Sequence, residues 1–326
     1  MKYSNTQGIP LPLAVWLADD DYDFVGGHKK ISATSLIKPT RRFILAGRVP
    51  LEERQYDVSD FIASRMGHAF HNAIEYSWMA NYQGALERLG YPQKVINRIR
   101  INPELDPDTG EPRESPIIPV FLERRGERLC DDYTISGKFD MAIEGQLYDT
   151  KSTSVWSYIL GRNDDDYIKQ GSIYRWIFPK IITADTIEIQ HIFTDYSKAQ
   201  SRSQKNYPPS RMMNNTYNLL SLDETEHFIR AKTQEINKFW GAPDNEIPYC
   251  TDEELWRSAP KYKYYSDPNK TDGKSTKNFD DLSEANKYRA EKGKGIVLTV
   301  PGQVKACSYC PAFTICKQKD LYDHDI

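Results

Sequence analysis

Several features are missing from this sequence of 326 residues, and each absence excludes a class of protein. No apolar run approaches the roughly 18 uninterrupted residues of a membrane span, so we expect no membrane protein. The first residues lack a basic segment followed by an apolar core, so we expect no secretory signal peptide. A glycine-rich phosphate loop of the G-x-x-x-x-G-K-[ST] type is also missing, so the sequence shows no helicase motif. The first two absences predict a cytoplasmic, intracellular protein.

The sequence also lacks an excess of either charge. It has 43 basic and 46 acidic residues, whereas nucleic-acid-binding domains often have a pI above about 9. This balance does not indicate a nucleic-acid binder, but it does not exclude an enzyme that confines its basic residues to a groove. Aromatic residues make up 12% of the chain, which is too much for a disordered protein.

At about 150 residues per domain, the length suits two domains. The composition changes after Gly241-Ala242-Pro243, where a Tyr- and Lys-rich segment begins that ends in a cysteine cluster. We therefore expect a first domain over residues 1–243, with an N-terminal helical segment, and a C-terminal metal-binding segment over residues 244–326.

Two predicted strands carry acidic residues that would face each other. If Glu144-Gly145 forms a two-residue hairpin turn, Asp140 lies opposite Asp149, and Lys151 lies on the same face as Asp149. Opposed carboxylates repel, and a divalent cation such as Mg²⁺ or Mn²⁺ removes that repulsion. The lysine can orient or deprotonate a water, or hold a phosphate oxygen. This pattern indicates metal-assisted phosphodiester hydrolysis, and the alternative is an exposed polar hairpin.

A long helix is predicted ahead of these strands. Apolar residues recur at helical spacing between Ser59, which would cap the helix, and Gly90. His71 and Glu75 are four residues apart and share one face. An imidazole suits Mn²⁺, although a histidine that stands alone is more often a core or surface residue. Glu75 is either a partner of the metal ligands or a surface residue.

Four short patterns occur in a fixed order along the chain: Gly67-His68-Ala69-Phe70-His71, Gly137-Lys138-Phe139-Asp140, Asp149-Thr150-Lys151 and Gln170-Gly171-Ser172-Ile173-Tyr174. Together they resemble the PD-(D/E)xK nuclease superfamily, specifically its RecB-like exonuclease branch. That branch carries G-x-x-x-H, G-x-x-D, D/E-x-K and Q-x-x-x-Y in this order. Residues 32–45 are similar to its first helix. The sequence departs from the family at Phe139, where the motif has proline, and at Asp149, which replaces glutamate.

The resemblance implies a mixed α/β fold, in which a restriction-endonuclease-like core has a mixed central β-sheet flanked by helices. It covers residues 31–194 and the cysteine tail. It also implies roles for individual residues: metal ligation by His71, Asp140, Asp149 and the backbone carbonyl of Thr150, catalysis by Lys151, and positioning of DNA or of the carboxylates by Gln170 and Tyr174.

Three of the five cysteines lie close together near the C-terminus. Cys307, Cys310 and Cys316 form a C-x₂-C-x₅-C pattern, and thiolates at this spacing suit Zn²⁺ or an iron–sulfur cluster, each of which generally takes four ligands. The triplet is similar to the iron–sulfur staple of AddB and of the CRISPR-adaptation nucleases. A 4Fe–4S cluster is therefore expected, with Zn²⁺ as the alternative that spacing does not separate, and cysteines without a metal as the remaining alternative.

The fourth ligand of this cluster has two candidates. The resembling proteins carry a further cysteine upstream, and the segment Lys38-Pro39-Thr40-Arg41 lacks one. Cys250 is the expected ligand, since it lies in a Pro-x-Cys-Thr-x-Glu-Glu-x-Trp pattern associated with phage-encoded members. Cys130 is the alternative, although it is more typical of a small buried residue.

The resulting prediction is a Mg²⁺- or Mn²⁺-dependent deoxyribonuclease. The resemblance indicates an exonuclease that acts in phage recombination, DNA repair or degradation of host DNA. Expected partners are DNA and a single-strand annealing or recombination protein. Two other classes remain open: a silent nuclease-like module that only binds DNA or a partner, and a metal-clipped scaffold whose hairpin carboxylates are incidental. The intact Asp140, Asp149 and Lys151 favour the enzyme.

Overall fold

The computed structural model describes residues 3–19, 28–50, 54 and 56–322. By its internal packing the chain divides into two units. Unit 1 comprises Met1–Lys38 and Leu51–Asn237, and unit 2 comprises Pro39–Pro50 and Lys238–Ile326. The expected domains over 1–243 and 244–326 stay a prediction. The internal packing places the short segment Pro39–Pro50 in unit 2.

In chain order, the strands are β1 (Tyr3–Ser4), β2 (Lys30–Ser32), β3 (Tyr56–Asp57), β4 (Ile99–Ile101), β5 (Ile118–Cys130), β6 (Tyr133–Ile143), β7 (Gln146–Thr153), β8 (Thr186–Phe193), β9 (Met212–Asn218), β10 (Lys261–Tyr265), β11 (Lys277–Phe279) and β12 (Ile296–Val300). Strands β1 to β9 belong to unit 1, and strands β10 to β12 belong to unit 2.

The helices differ widely in length, from one turn to more than seven turns. In chain order, the α-helices are α1 (Leu11–Ala18), α2 (Ala33–Leu36), α3 (Thr40–Arg48), α4 (Ile62–Arg88), α5 (Gln93–Ile96), α6 (Val155–Ile159), α7 (Asp164–Ile177), α8 (Lys198–Ser203), α9 (Leu222–Phe239) and α10 (Leu282–Lys292).

A seven-stranded mixed sheet forms the centre of unit 1. Its order is β4-β5-β6-β7-β8-β9, and β2 pairs with β6 away from this path. The β5–β6, β6–β7 and β8–β9 pairs are antiparallel, whereas β4–β5, β7–β8 and β2–β6 are parallel. The predicted fold class is confirmed: this is a mixed α/β structure with a central mixed sheet flanked by helices, compatible with a restriction-endonuclease-like core.

The turn between β6 and β7 is the predicted two-residue turn. Glu144 and Gly145 both have positive φ, 48° and 88°, as a type I′ hairpin turn requires. The register is also the predicted one, since Ile143 pairs with Gln146 and Met141 pairs with Tyr148. Turn chemistry and the two-residue period of strands were therefore enough to align these two strands.

The long helix α4 packs its apolar side on β5 and β6. Ile74 and Trp78 lie against a buried cluster that contains Leu122 and Met141. The predicted cap at Ser59 is wrong: a 3₁₀ turn precedes α4, and Asp57 caps it by accepting hydrogen bonds at its carboxylate, including one from Ser59 N at 3.0 Å. A carboxylate accepts hydrogen bonds from the free N–H groups of the first turn, and its negative charge is also favourable at a helix N-terminus.

Unit 2 contains α3, a small sheet and the cysteine cluster. Its three strands are antiparallel in the order β11-β10-β12, and α10 packs on one face through Ala285 and Tyr288. In the described part of the chain, no helix has the length and apolar character needed to cross a membrane.

Candidate active site

Asp140 and Asp149 lie on neighbouring strands of the unit 1 sheet. The ladder between β6 and β7 ends at Met141 and Tyr148, one step before these two residues. Beyond that point the Thr150 N–H donates to a side chain of β6, since Asp140 Oδ2 accepts this hydrogen bond at 3.0 Å. This hydrogen bond holds the backbone at Thr150, the residue whose carbonyl was predicted as a metal ligand.

Helix α4 brings His71 onto Asp140. The distance from His71 Nδ1 to Asp140 Oδ2 is 3.1 Å. Two features of α4 produce this approach: its apolar face docks on the sheet, and Gly67 lets the helix come close to β7, since a Cβ there would lie 3.3 Å from Ser152 Oγ. This is a physical reason for glycine four residues before His71. The hydrogen bond with Asp140 raises the pKa of His71, although burial opposes it.

Sequence reasoning missed a third residue of this group, Glu123. Ligand atoms of His71, Glu123 and Asp140 all lie within 4.8 Å of one another. Glu123 lies on β5 with φ of 48°, between the paired residues Leu122 and Arg124. It therefore sits across the strand pair from Asp140, so two carboxylates again face each other. Burial raises the pKa of Glu123, and its partner Lys138 opposes this.

These three side chains are a suitable donor set for a divalent cation. Carboxylate oxygens suit Mg²⁺, and one imidazole with two carboxylates also suits Mn²⁺. A small cavity of about 20 Å³ lies among them, and Glu75 and Thr150 also line it. Glu75 is thus a neighbour of the site rather than a member of the tight group. The cation would offset the mutual repulsion of the carboxylates.

Asp149 and Lys151 form the second half of the site. Asp149 is only 2% exposed, and its Oδ2 lies 2.7 Å from Lys151 Nζ. Burial raises the pKa of Asp149 to about 6, against the opposing attraction of Lys151. Burial also disfavours the charged form of Lys151, but Asp149 and Asp140 outweigh it and hold the lysine pKa above its ordinary value. The two carboxylates therefore favour the charged form of Lys151.

Helix α7 supplies the two predicted positioning residues. Gln170 Oε1 lies 3.5 Å from Lys151 Nζ, and Gln170 Nε2 donates to the Tyr174 hydroxyl at 2.7 Å. A Cβ on Gly137 would lie 2.9 Å from the Tyr174 ring, so the motif glycine on β6 allows α7 to reach the sheet. Gln170 thus contacts Lys151, and Tyr174 is connected to it through Gln170, while the expected positioning of DNA or of the carboxylates stays a prediction.

An apolar groove opens beside Thr150. It has a volume of about 690 Å³, and its lining includes Phe70 and Trp78 of α4 and Met213 of β9. Pockets of several hundred Å³ accommodate small ligands. His191 also lines the groove, and neither ring nitrogen of this 2%-exposed residue has a hydrogen-bond partner among the described residues.

The predicted cysteine ligands meet in unit 2. Cys250, Cys307, Cys310 and Cys316 line one cavity of about 40 Å³. Cys130 is instead a buried residue at the end of β5 in unit 1. All five cysteines are free thiols. Of the two candidates for the fourth ligand, Cys250 is the one that shares a cavity with the C-terminal triplet.

The cysteine cavity disfavours thiolates unless a cation accompanies them. Burial raises the pKa of the Cys250 thiol to about 12, with a further contribution from Glu254. Burial likewise raises the pKa of Cys307 and of Cys310. Metal binding at such thiols would release protons and would add its free energy to folding.

Comparison with known proteins gives limited similarity. No protein-family model and no curated protein matches the chain. The crystal structure of SSO0001 is similar with a TM-score of 0.41 and 15% identity, over 73% of this chain and 91% of that one. The crystal structure of a phage-related exonuclease from Haemophilus somnus 129PT is similar with a TM-score of 0.30 and 13% identity, over 68% of this chain and 98% of that one.

Proposed function

We propose that this chain is a metal-dependent DNA nuclease of the RecB-like branch of the PD-(D/E)xK superfamily. The observation that supports it best is the convergence of His71, Glu123 and Asp140 within 4.8 Å, next to the buried pair of Asp149 and Lys151. A cation-binding group beside a fixed ammonium is what phosphodiester hydrolysis requires, because negative charge grows on the phosphate as it is attacked.

His71, Asp140, Asp149 and the Thr150 carbonyl would hold Mg²⁺ or Mn²⁺, and we add Glu123 to this set. When bound, the cation supplies Lewis-acid chemistry to the phosphate and the attacking water. Asp140 orients the Thr150 peptide through the bond to its N–H.

Lys151 acts in this proposal as a cation rather than as a base. The two carboxylates hold its pKa above the ordinary value, so it keeps its proton at neutral pH. It donates hydrogen bonds to a non-bridging phosphate oxygen or to the attacking water. Gln170 contacts Lys151 and is itself bonded to Tyr174, so these two residues orient the ammonium.

The finer parts of the proposal rest on the motif resemblance. They are exonucleolytic action, a role in phage recombination, repair or host DNA degradation, and cooperation with a single-strand annealing or recombination protein. DNA is the proposed substrate. The groove beside Thr150 is the proposed site for the nucleotides next to the scissile bond, and its aromatic residues Phe70 and Trp78 suit base stacking.

We also propose that the cysteine cavity holds an iron–sulfur cluster. The proposal is supported by the shared cavity of Cys250, Cys307, Cys310 and Cys316 and by the C-x₂-C-x₅-C pattern of the last three. Four cysteines also suit Zn²⁺, which is the alternative that metal analysis separates from iron.

The nuclease proposal is tested with end-labelled linear DNA in Mg²⁺, Mn²⁺ or EDTA. We expect cleavage with either cation, none in EDTA, and a loss of roughly 10²–10³-fold in rate for Lys151→Met, the size typical of removing a group that stabilises transition-state charge. Lys169→Met is the matched control, since Lys169 lies on α7, pairs with the exposed Asp165 and has its ammonium over the Phe228 ring. Cleavage in EDTA, or equal rates for both variants, would overturn the proposal.

A further inference from the structure

Arg41 is a charged residue that is buried within the cysteine region of unit 2. It is 2% exposed, although it lies in the first turn of α3 within an Arg-rich sequence. Burying a guanidinium is unfavourable unless its charge is paired and its N–H groups are bonded. The contacts of Arg41 therefore show which groups the fold has arranged around it.

These contacts reach both ends of the cysteine cluster. Arg41 Nη1 donates to the carbonyls of Asp244 at 3.0 Å and Ile247 at 2.9 Å, and Nη2 forms an ion pair with the Asp244 carboxylate. Arg41 Nε donates to Cys316 Sγ at 3.2 Å. Ile247 lies three residues before Cys250 in the sequence. One guanidinium thus joins the segment that carries the first cysteine to the last cysteine.

A second buried polar residue fixes the same two segments. Gln318 is 2% exposed, and its side chain exchanges two 2.8 Å hydrogen bonds with the backbone N–H and C=O of Cys250. Because Gln318 follows Cys316 by two residues, Cys250 and Cys316 are held together from two sides. Such a pair of buried polar anchors is expected where ligand geometry must be rigid.

The bond from Arg41 to sulfur also has a chemical meaning. A thiol sulfur is a weak acceptor, whereas a sulfur that carries negative charge accepts strongly from a charged donor. Aiming a fully buried guanidinium N–H at Cys316 suits a ligand sulfur better than a packing residue. Hydrogen bonds to ligand sulfurs are also among the factors that tune metal–thiolate sites.

We infer that Arg41 is the positioning residue of the cysteine cluster: it orients Cys316, clamps the segment before Cys250, and offsets the charge of the ligand sulfurs. The inference rests on the proposed metal site in this cavity. Arg41 itself ligates nothing. Its loss is expected to leave the four cysteines in the chain but to weaken the hold of the protein on the metal.

The test uses the full-length protein purified anaerobically, with Arg41→Lys and Arg41→Gln as variants. Iron and zinc per chain are measured first, and then the rate at which an added chelator removes the metal. We expect release at least about tenfold faster for Arg41→Gln, in line with the effect of losing a partner behind metal ligands, and an intermediate rate for Arg41→Lys, which keeps the charge.

The sulfur-to-metal charge-transfer band shows whether Arg41 acts on the ligand sulfurs or only on the stability of the fold. It is read directly for iron, or after Co²⁺ replacement for zinc, and it should shift in Arg41→Gln. Arg48→Lys is the matched control: Arg48 lies on the same helix and donates to the carbonyls of Trp240 and Ala242, with no contact to sulfur. This control should leave band and release rate unchanged.

The outcomes distinguish a failure of the role of Arg41 from a failure of the metal site itself. Wild-type protein without iron or zinc overturns the metal site and Arg41's role together. Wild-type protein that holds metal, with Arg41 variants that release it at the wild-type rate and keep the band, overturns the inference alone. Metal release that is accelerated equally by Arg48→Lys would also contradict the role of Arg41, because the effect would then come from weaker attachment of α3.

Discussion

Asp149 and Lys151 are two residues apart on β7, and each stabilises the charge of the other in a buried part of the site. The carboxylate alone would hold its proton near neutral pH, and the ammonium alone would tend to lose its own. Their 2.7 Å contact favours the charged form of each against the effect of burial. This pairing delivers a fixed positive charge next to the proposed cation.

At the residue scale, the sharpest prediction concerns Glu123. Glu123→Gln should raise the Mn²⁺ concentration needed for half-maximal cleavage by at least about tenfold, because one charged ligand is lost from the group. The maximal rate at saturating Mn²⁺ should change less. Initial cleavage rates across a Mn²⁺ titration measure both quantities.

The matched control for this variant is Glu127→Gln, which lies on the same strand and pairs with Lys30 away from the site. Its Mn²⁺ requirement should equal that of the wild type. An unchanged requirement in Glu123→Gln would remove Glu123 from the ligand set and leave the predicted set of His71, Asp140, Asp149 and Thr150.

Residue chemistry explains why Asp140 and Lys151 could be predicted and Glu123 could not. A two-residue turn fixes the register of β6 and β7, so their facing residues follow from counting. Glu123 belongs to β5, and its place depends on a positive φ within that strand, for which a glutamate gives no sequence signal. The position of Glu123 depends on the pairing of β5 with β6.

At the scale of elements, the close contact of α7 with β6 carries the arrangement of Lys151, Gln170 and Tyr174. Gly137→Ala should destabilise the protein by about 1–3 kcal/mol, as overpacking typically does, because its Cβ would lie 2.9 Å from both Tyr174 and Ile177. Displacement of α7 should also lower the cleavage rate. Chemical denaturation and the cleavage assay measure these effects.

Gly273→Ala serves as the control, since a Cβ there would meet nothing within 4 Å. Its stability and rate should match the wild type. A Gly137→Ala protein with wild-type stability would mean that the glycine in this motif has no packing role.

A second prediction at this scale concerns His191 on β8. Burial lowers its pKa from 6.5 to about 4, with an opposing contribution from Asp164. Since the unfolded chain binds more protons than the native state between these values, stability should fall as the pH drops from 6.5 to 4. The loss would approach roughly 3 kcal/mol, taking about 1.4 kcal/mol per pKa unit.

The measurement compares unfolding free energies of wild type and His191→Leu across that pH range, so that other titrating groups contribute equally to both. The wild type should lose stability relative to the variant as the pH falls. A constant difference between the two proteins would show that His191 is not buried as a neutral ring.

At the scale of the whole molecule, the four cysteines that share a cavity belong to unit 2, and the site carboxylates belong to unit 1. Cys310→Ser should lose the metal of unit 2 and make residues 238–326 more sensitive to protease, because binding free energy there is folding free energy. Cys130→Ala should keep the metal. Metal analysis and limited proteolysis with mass mapping test both, and metal retained in Cys310→Ser would contradict the proposed cluster.

The division into units includes one feature that the sequence did not predict, the packing of α3 within unit 2. The change of composition near 243 signals a new segment because it is local in the sequence. That α3 packs with this segment depends on contacts such as those of Ile44 and Leu45 with Ile247 and Ala312, which are about 200 residues or more away. Nothing in the local pattern of α3 indicates such long-range partners.

Unit 1 is proposed to hold a divalent cation that serves phosphodiester hydrolysis. The most direct test measures bound Mn²⁺ by electron paramagnetic resonance and cleavage of linear DNA on the same samples of wild type, Asp140→Asn and Asp132→Asn, an exposed control at the β5–β6 turn. We predict that Asp140→Asn loses Mn²⁺ binding and cleavage together, while Asp132→Asn keeps both. An Asp140→Asn protein that binds Mn²⁺ and cleaves DNA as the wild type does would contradict the account.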